Sequence, residues 1–190
     1  MEGRRIVKKE VRVIGWDDCR LSRKRRVQLI GAIFRGGLQI DGMLSAFIER
    51  DGLDATEKIT SAIVNSRHFD QLSAIMLDGI SFAGFNLVDI KALHKNTGLS
   101  VIVVQRKKPD IKKFTEAQSI FSSYKKRLVI VRNAGKLYRW KSIYYQKAGI
   151  NNIECAKLLG ITCIRANIPE PVRVAHIIAT GMAGESRGRA

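Results

Sequence analysis

Residues Val11 to Asp17 read VRVIGWD, a run in which β-branched and aromatic side chains carry the chain to a pair of acids, Asp17 and Asp18. Alternation with a period of two predicts a strand, and acids at its end mark where the chain leaves the sheet. A basic stretch, Arg20 to Arg26, follows. Then come VQLIGAIFRGG from Val27 and QIDGMLSAFIERDG from Gln39, two apolar runs joined around Gly36-Gly37. Glycines at that position permit a tight turn, so the three runs predict a meander of consecutive antiparallel strands.

Beyond the meander the pattern changes to alternating helices and strands. Asp54-Ala55-Thr56-Glu57 has the form of a capping box ahead of Ile59, Ala62 and Ile63, which predicts a helix to about Ser66. SAIMLDG, Ser73 to Gly79, reads as a buried strand closed by Asp-Gly. In NLVDIKALHKNTG, Asn86 is the expected cap, Leu87, Ile90 and Leu93 face inward, and Gly98 ends the helix. LSVIVVQRK, nearly continuous in Val and Ile, is a fifth strand with both faces covered. Further on, Lys112 to about Tyr124 predicts a helix and LVIVRNAGKLYRWKSIYYQ a late hairpin turning at Asn133 to Gly135. Asn152 to Leu159 predicts a short helix stopped by Gly160, and Pro171 opens a last helix.

Two hairpin reversals aim the third strand the same way as the first, and right-handed crossovers carry the chain to the fourth and fifth. The resulting expectation is an α/β domain with a mixed five-stranded sheet, order 3-2-1-4-5, and flanking helices. The chain's 190 residues suit one hydrophobic core. Residues 1–190 are therefore expected to form a single domain, with 125–190 as a C-terminal extension packed on it.

Composition narrows the partner. Lys and Arg number 34 against 17 Asp and Glu, a formal charge of +17. Such an excess favours a polyanion through phosphate neutralisation and counterion release. Cys19, Cys155 and Cys163 are odd in number and form no CxxC pair, which argues against a disulfide framework and a zinc knuckle. No apolar run approaches the roughly 20 residues that cross a bilayer, and the expected setting is the cytoplasm.

In that strand order, acids gather on one sheet edge: Asp17 and Asp18 after the first strand, Asp51 and Asp54 beyond the third, Asp78 after the fourth. Arg106, Lys107 and Lys108 follow the fifth. Neighbouring strands lie about 4.8 Å apart, so carboxylates ending adjacent strands can share a divalent ion. Oxygen ligands select Mg²⁺ or Mn²⁺, whereas zinc favours His or Cys beside them. Each acid taken alone has an ordinary explanation. Asp51-Gly52 and Asp78-Gly79 are common turn pairs, and Asp54 suits a helix cap. Their convergence is what points to a site. His68, His94 and His176 show no ligand spacing, and neither His94 nor His176 is given a catalytic role. Tyr138, Trp140, Tyr144 and Tyr145 among Arg139, Lys141 and Lys147 suit base stacking and a core-facing strand equally.

The segments GWDD at Gly15, RDGLDATEKI at Arg50, IMLDGISFAGFNLVDI at Ile75, IPEPVRVAHIIA at Ile168 and GESRGRA at Gly184 together resemble the archaeal endonuclease dU family, nearly end to end. That family is similar in fold to endonuclease V, an RNase H-like nuclease. The resemblance implies a metal-dependent endonuclease cutting DNA near a deaminated or damaged base such as deoxyuridine, in DNA repair. It assigns Asp17 and Asp78 to the metal. Glu49, Asp51 and Asp54 compete for the third position, Asp51 being preferred and Asp54 second, with Asp18 behind the ligands. Cys19 stands where the family more usually has glycine after the paired aspartates. Arg35, Arg106, Lys107 and Lys108 are expected to hold phosphate, with Arg187 and Arg189 in the tail, and the Phe82 to Phe85 loop to contact an unstacked base. The rival readings are a nucleic-acid-binding protein without turnover and a nuclease directed at RNA.

Overall fold

The structure, a computed structural model, describes residues 9–19, 25–182 and 184–186; the expected phosphate contacts Arg187 and Arg189 lie outside them. The meander forms as β1 (Arg12–Asp18), β2 (Arg26–Arg35) and β3 (Gln39–Glu49), each antiparallel to the next. Gly36 makes the β2–β3 turn with φ 60, a left-handed conformation that suits glycine. After α1 (Ala55–Val64), β4 (Leu72–Asp78) pairs parallel with β1. A small hairpin of β5 (Ser81–Phe82) and β6 (Asn86–Leu87) precedes α2 (Ile90–Thr97), and β7 (Ser100–Gln105) then pairs parallel with β4. The expected five-strand order is present: β3-β2-β1-β4-β7.

The sheet then continues, because β8 (Tyr138–Trp140) and β9 (Ile143–Ala148) add to β7 and bring it to seven strands. Before them stand α3 (Ile111–Ala117), a single 3₁₀ turn Gln118–Ile120, and α4 (Tyr124–Asn133). The late hairpin thus turns at Lys141 rather than at Asn133 to Gly135, and Leu128 to Val131 are helical. Their β-branched side chains favour a strand locally, but a helix sets Arg127 and Ala134 on one buried side, and burial outweighs that preference. The last helices are α5 (Asn152–Thr162) and α6 (Glu170–Gly181). Gly160 does not stop α5, which runs on to bury Thr162; a helical glycine costs only about 1 kcal/mol. Two caps also differ from expectation. Asp89, not Asn86, caps α2 by accepting from the amides of Lys91 and Ala92, and Gly98 closes that helix at φ 69. Asp54 makes no side-chain cap on α1.

Alternation along the strands fills two cores. On one face Ile14, Trp16, Leu29, Ile75, Leu77, Val101 and Val103 pack beneath Ile59 and Ile63 of α1 and Leu93 of α2. On the other, Val13, Ile30, Ala32, Ala74, Met76, Ile102 and Val104 pack beneath Cys155 and Leu158 of α5 and Val172, Ala175 and Ala179 of α6. The segment beyond residue 125 therefore supplies two strands of the common sheet and the helix on β1. Among the described residues no helix is long and apolar enough to cross a membrane.

The closest packing in the second layer is at Gly15. A Cβ there would lie 2.3 Å from the carbonyl carbon of Pro171, so only glycine lets the first turn of α6 rest on β1. At the far end of the sheet, Asp41 accepts from Nε of Arg12 at 2.7 Å and from Nε of Arg35 at 3.2 Å.

Gly15→Ala is expected to destabilise the protein by about 2 kcal/mol or more, because α6 must lift from β1; the urea midpoint measures it. The Arg12 hydrogen bond foremost, with Arg35, holds the Asp41 carboxyl below its ordinary value of 3.8. Its stabilisation is complete above that value and fades as pH falls through the depressed one. Asp41→Asn should accordingly cost about 1 kcal/mol at neutral pH, with the gap from wild type closing in acid denaturation curves below about pH 4.

Candidate metal centre and strand-edge site

The parallel register pairs Trp16 with Leu77, so Asp17 and Asp78 stand side by side where β1 and β4 end. Side chains alternate across the sheet, and Asp17 follows Val13 and Gly15 onto the α6 face, as Asp78 follows Ala74 and Met76. His176 arrives there from above. Its place follows from the contact at Gly15, since Pro171 to His176 advances about 7 Å along a helix and Gly15 to Asp17 about 7 Å along a strand. Nδ1 of His176 donates to Oδ2 of Asp17 at 2.7 Å. Asp17, Asp78 and His176 each offer a ligand atom, all within 4.8 Å of one another.

Asp17 is 6% exposed, Asp78 and His176 half-buried. Burial, then the neighbouring Asp17 charge, pushes the Asp78 carboxyl up, while Nη1 of Arg106, 3.3 Å from Asp78 Oδ2, pulls it down. The hydrogen bond to Asp17 foremost raises His176. Two carboxylates this close, backed by an imidazole and one guanidinium, form a partly desolvated cleft that gathers acids in a cationic protein. Two hard oxygens and one nitrogen are a donor set that a divalent ion fits. His176 was passed over in the sequence because its partners lie some 100 or more positions away along the chain. The available signal was its place beside the buried side of a helix that Pro171 begins, formed by Val172, Ala175 and Ala179.

Asp18 points to the opposite face from Asp17. There its Oδ2 accepts from the amide of Ala83 at 2.7 Å, and burial pushes its carboxyl up to about 6. Asp51, the preferred third ligand, is not brought into the cluster. It adopts φ 55 in the turn after β3, and its Oδ1 accepts from the amide of Phe85 at 2.9 Å while Arg50 lies 3.5 Å from Oδ2. Asp54 is likewise drawn elsewhere, accepting from the amide of Glu49 and from Nδ2 of Asn86. Turn geometry committed both acids to backbone donors. Asp18 and Asp51 together hold the β5–β6 hairpin against the strand ends.

Arg127, 2% exposed, reinforces the same hairpin. Its guanidinium donates to the carbonyls of Phe85, Asp51 and Gly52, Nε donates to Ser123 Oγ, and the plane stacks 3.9 Å from the Phe121 ring centre. Phe85, packed near Phe114 and Phe121, lines a cavity of about 1000 Å³ together with Gly79, Ile80, Gln105 and Tyr124. Phe82 does not serve as expected: it is 1% exposed, a core residue beneath the hairpin. Lys107 and Lys108 are exposed beside Arg106 at the acid edge. Arg35 is not there. It pairs with Arg12 at the other end of the antiparallel β1–β2 ladder, because β2 runs back from the acids.

Comparison with known proteins agrees with this architecture. Residues 9–183 match the sequence profile of the family described as endonuclease dU. A UPF0215 protein of Methanosarcina acetivorans is 50% identical over 191 residues, covering 97% of this chain and 97% of its own. The crystal structure of a protein of unknown function from Archaeoglobus fulgidus superposes with a TM-score of 0.86 at 38% identity, covering 90% of this chain and 97% of that one. Endonuclease V of Ciona intestinalis, crystallised with a 24mer DNA containing an inosine followed by a ribo-adenosine, shares the fold with a TM-score of 0.57 at 15% identity, over 86% of this chain and 82% of its own. The fold is RNase H-like.

Arg127→Met should leave the carbonyls of Phe85, Asp51 and Gly52 without their donor and lower stability by about 2–4 kcal/mol. Chemical denaturation measures the loss, and faster amide exchange at Ala83 and Phe85 locates it.

Proposed function

Because the chain belongs to the endonuclease dU family, we propose that it is a metal-dependent endonuclease hydrolysing a DNA phosphodiester near a deaminated or damaged base such as deoxyuridine. The observation that carries this reading is the convergence of Asp17, Asp78 and His176, whose ligand atoms lie within 4.8 Å of one another, in a chain of net charge +17. A protein so cationic gains nothing in binding a polyanion from a half-buried pair of carboxylates, but it does gain a place for an ion between the acids and a phosphate.

Asp17, Asp78 and His176 would hold the ion. Mg²⁺ and Mn²⁺ suit the carboxylates; the imidazole, absent from the oxygen set read in the sequence, makes Mn²⁺ a better match than Mg²⁺ and brings zinc within reach of the same donors. When bound, the ion supplies positive charge to a phosphate oxygen and acidity to a water. In the hydrolysis, water oxygen attacks phosphorus, the P–O ester bond breaks, and the departing oxygen takes up a proton. The rest falls to the protein's own groups. Asp17 accepts from His176 Nδ1 and so fixes the ring, leaving Nε2 available. Arg106, paired with Asp78, offers its remaining donors to phosphate, with Lys107 and Lys108 beyond it. Asp18 and Asp51 act indirectly, by holding the hairpin that carries Phe85. The cavity beside Phe85 and Gly79, about 1000 Å³, has the volume for an unstacked base, and a damaged base costs least to unstack, which favours it over an intact one.

The decisive experiment incubates the protein with labelled uracil-containing, inosine-containing and undamaged oligonucleotides, in DNA and RNA, with Mn²⁺, Mg²⁺ or chelator. Metal-dependent cutting near the lesion is expected, and Asp17→Asn, Asp78→Asn and His176→Ala should each lose more than about 100-fold. Cutting that survives in chelator or in Asp17→Asn sinks the metal assignment. Preference for RNA would redirect the reading to an RNA nuclease, and binding without any cutting to a non-catalytic role.

A further inference from the structure

A second polar pocket lies at the end of the sheet remote from the acids. Arg12 opens β1, Arg35 closes β2 opposite it, and Asp41 occupies the irregularity in β3 where the register shifts between Ile33 and Phe34. Arg67, His68 and Gln71 follow α1, and these six residues line a cavity of about 240 Å³. Its arginines are held in place. Nε of Arg12 and Nε of Arg35 both converge on Oδ2 of Asp41, leaving their Nη groups without a hydrogen-bond acceptor among the described residues. The two side chains are only 28% and 33% exposed. Arg67, exposed at the rim, has no ion pair among the described residues. His68 packs on Gly42, where a Cβ would meet its Nε2 at 3.0 Å.

Three guanidiniums around one carboxylate leave this small cavity with a surplus of positive charge. Half-buried like charges repel, and an anion relieves them. Asp41 anchors both Nε atoms, so it orients the arginines without consuming the Nη donors that suit a tetrahedral oxyanion. We propose that this pocket is a second oxyanion site, taking a phosphate group between the Nη donors of Arg12 and Arg35, with Arg67 closing over it. Five strand steps from Arg12 to Asp17 put it about 17 Å from the acid cluster, so its phosphate is not the one at the cleft. The phosphate belongs either to a distal part of a bound nucleic-acid strand or to a free phosphate or phosphorylated small molecule. The proposal does not depend on the nuclease reading.

The test uses the whole protein in chelator. Inorganic phosphate, compared with chloride at equal ionic strength, is expected to raise the wild-type unfolding midpoint by about 2–4 °C at concentrations well above Kd. Arg67→Ala, which removes no ion pair among the described residues, and Arg35→Gln, which keeps the Arg12–Asp41 bond, should each lose most of that rise. Asp17→Asn should keep it, which separates this site's failure from that of the metal centre. No phosphate effect in the wild type, or an equal effect in Arg67→Ala and Arg35→Gln, overturns the proposal. The source is read from the salt dependence of binding to an oligonucleotide. A slope smaller by about one in Arg67→Ala assigns the phosphate to the bound strand. An unchanged slope with the phosphate effect lost supports the site with a small phosphorylated ligand.

Discussion

The contact of Gly15 with the first turn of α6 is the constraint on which the rest of the site depends. A side chain on residue 15 would collide with the Pro171 backbone, so the helix can lie this low only over glycine. Once it does, Val172, Ala175 and Ala179 seal the second core, and His176 is carried along the helix to Asp17. The same packing thus closes a hydrophobic layer and completes a polar cluster. Pro171 favours helix initiation at that point, with its ring fixing φ in the first turn.

Strand alternation then divides the labour between adjacent acids. Asp17 faces α6 and meets Asp78 and His176, while Asp18 faces the other layer and accepts from Ala83. Asp51 joins Asp18 there, and Arg127 adds a buried cation bonded to carbonyl oxygens around the same hairpin. The strand edge therefore has a charged side and a supporting side. Asp78 and Gly79 connect them, since Asp78 belongs to the cluster and Gly79 lines the cavity beside Phe85.

Basic residues are distributed with comparable economy. Arg106 offsets the acids directly, whereas Arg12 and Arg35 gather around Asp41 at the opposite end. The antiparallel course of β2 accounts for that separation: residues entering the strand lie near the acids, and those leaving it lie far from them. Net charge alone says that a polyanion is favoured. Where it is held depends on strand direction.

Local chemistry in the chain was enough for the meander, the crossovers, the five-strand order and the side-by-side placement of Asp17 and Asp78, because alternation and turn glycines act over a few residues. It also carried the family resemblance. What lay beyond it were partnerships between distant segments: His176 with Asp17, Asp51 with Phe85, Asn86 with Asp54, and the helical state of Leu128 to Val131. Phe82 and Phe85 illustrate the division, since both are apolar residues of one loop, yet only tertiary packing puts the first in the core and the second against the cavity. A residue's type and its neighbours in the chain fix which faces are apolar, but which polar groups meet is decided when the layers close, by donors and acceptors that must be satisfied across the whole fold.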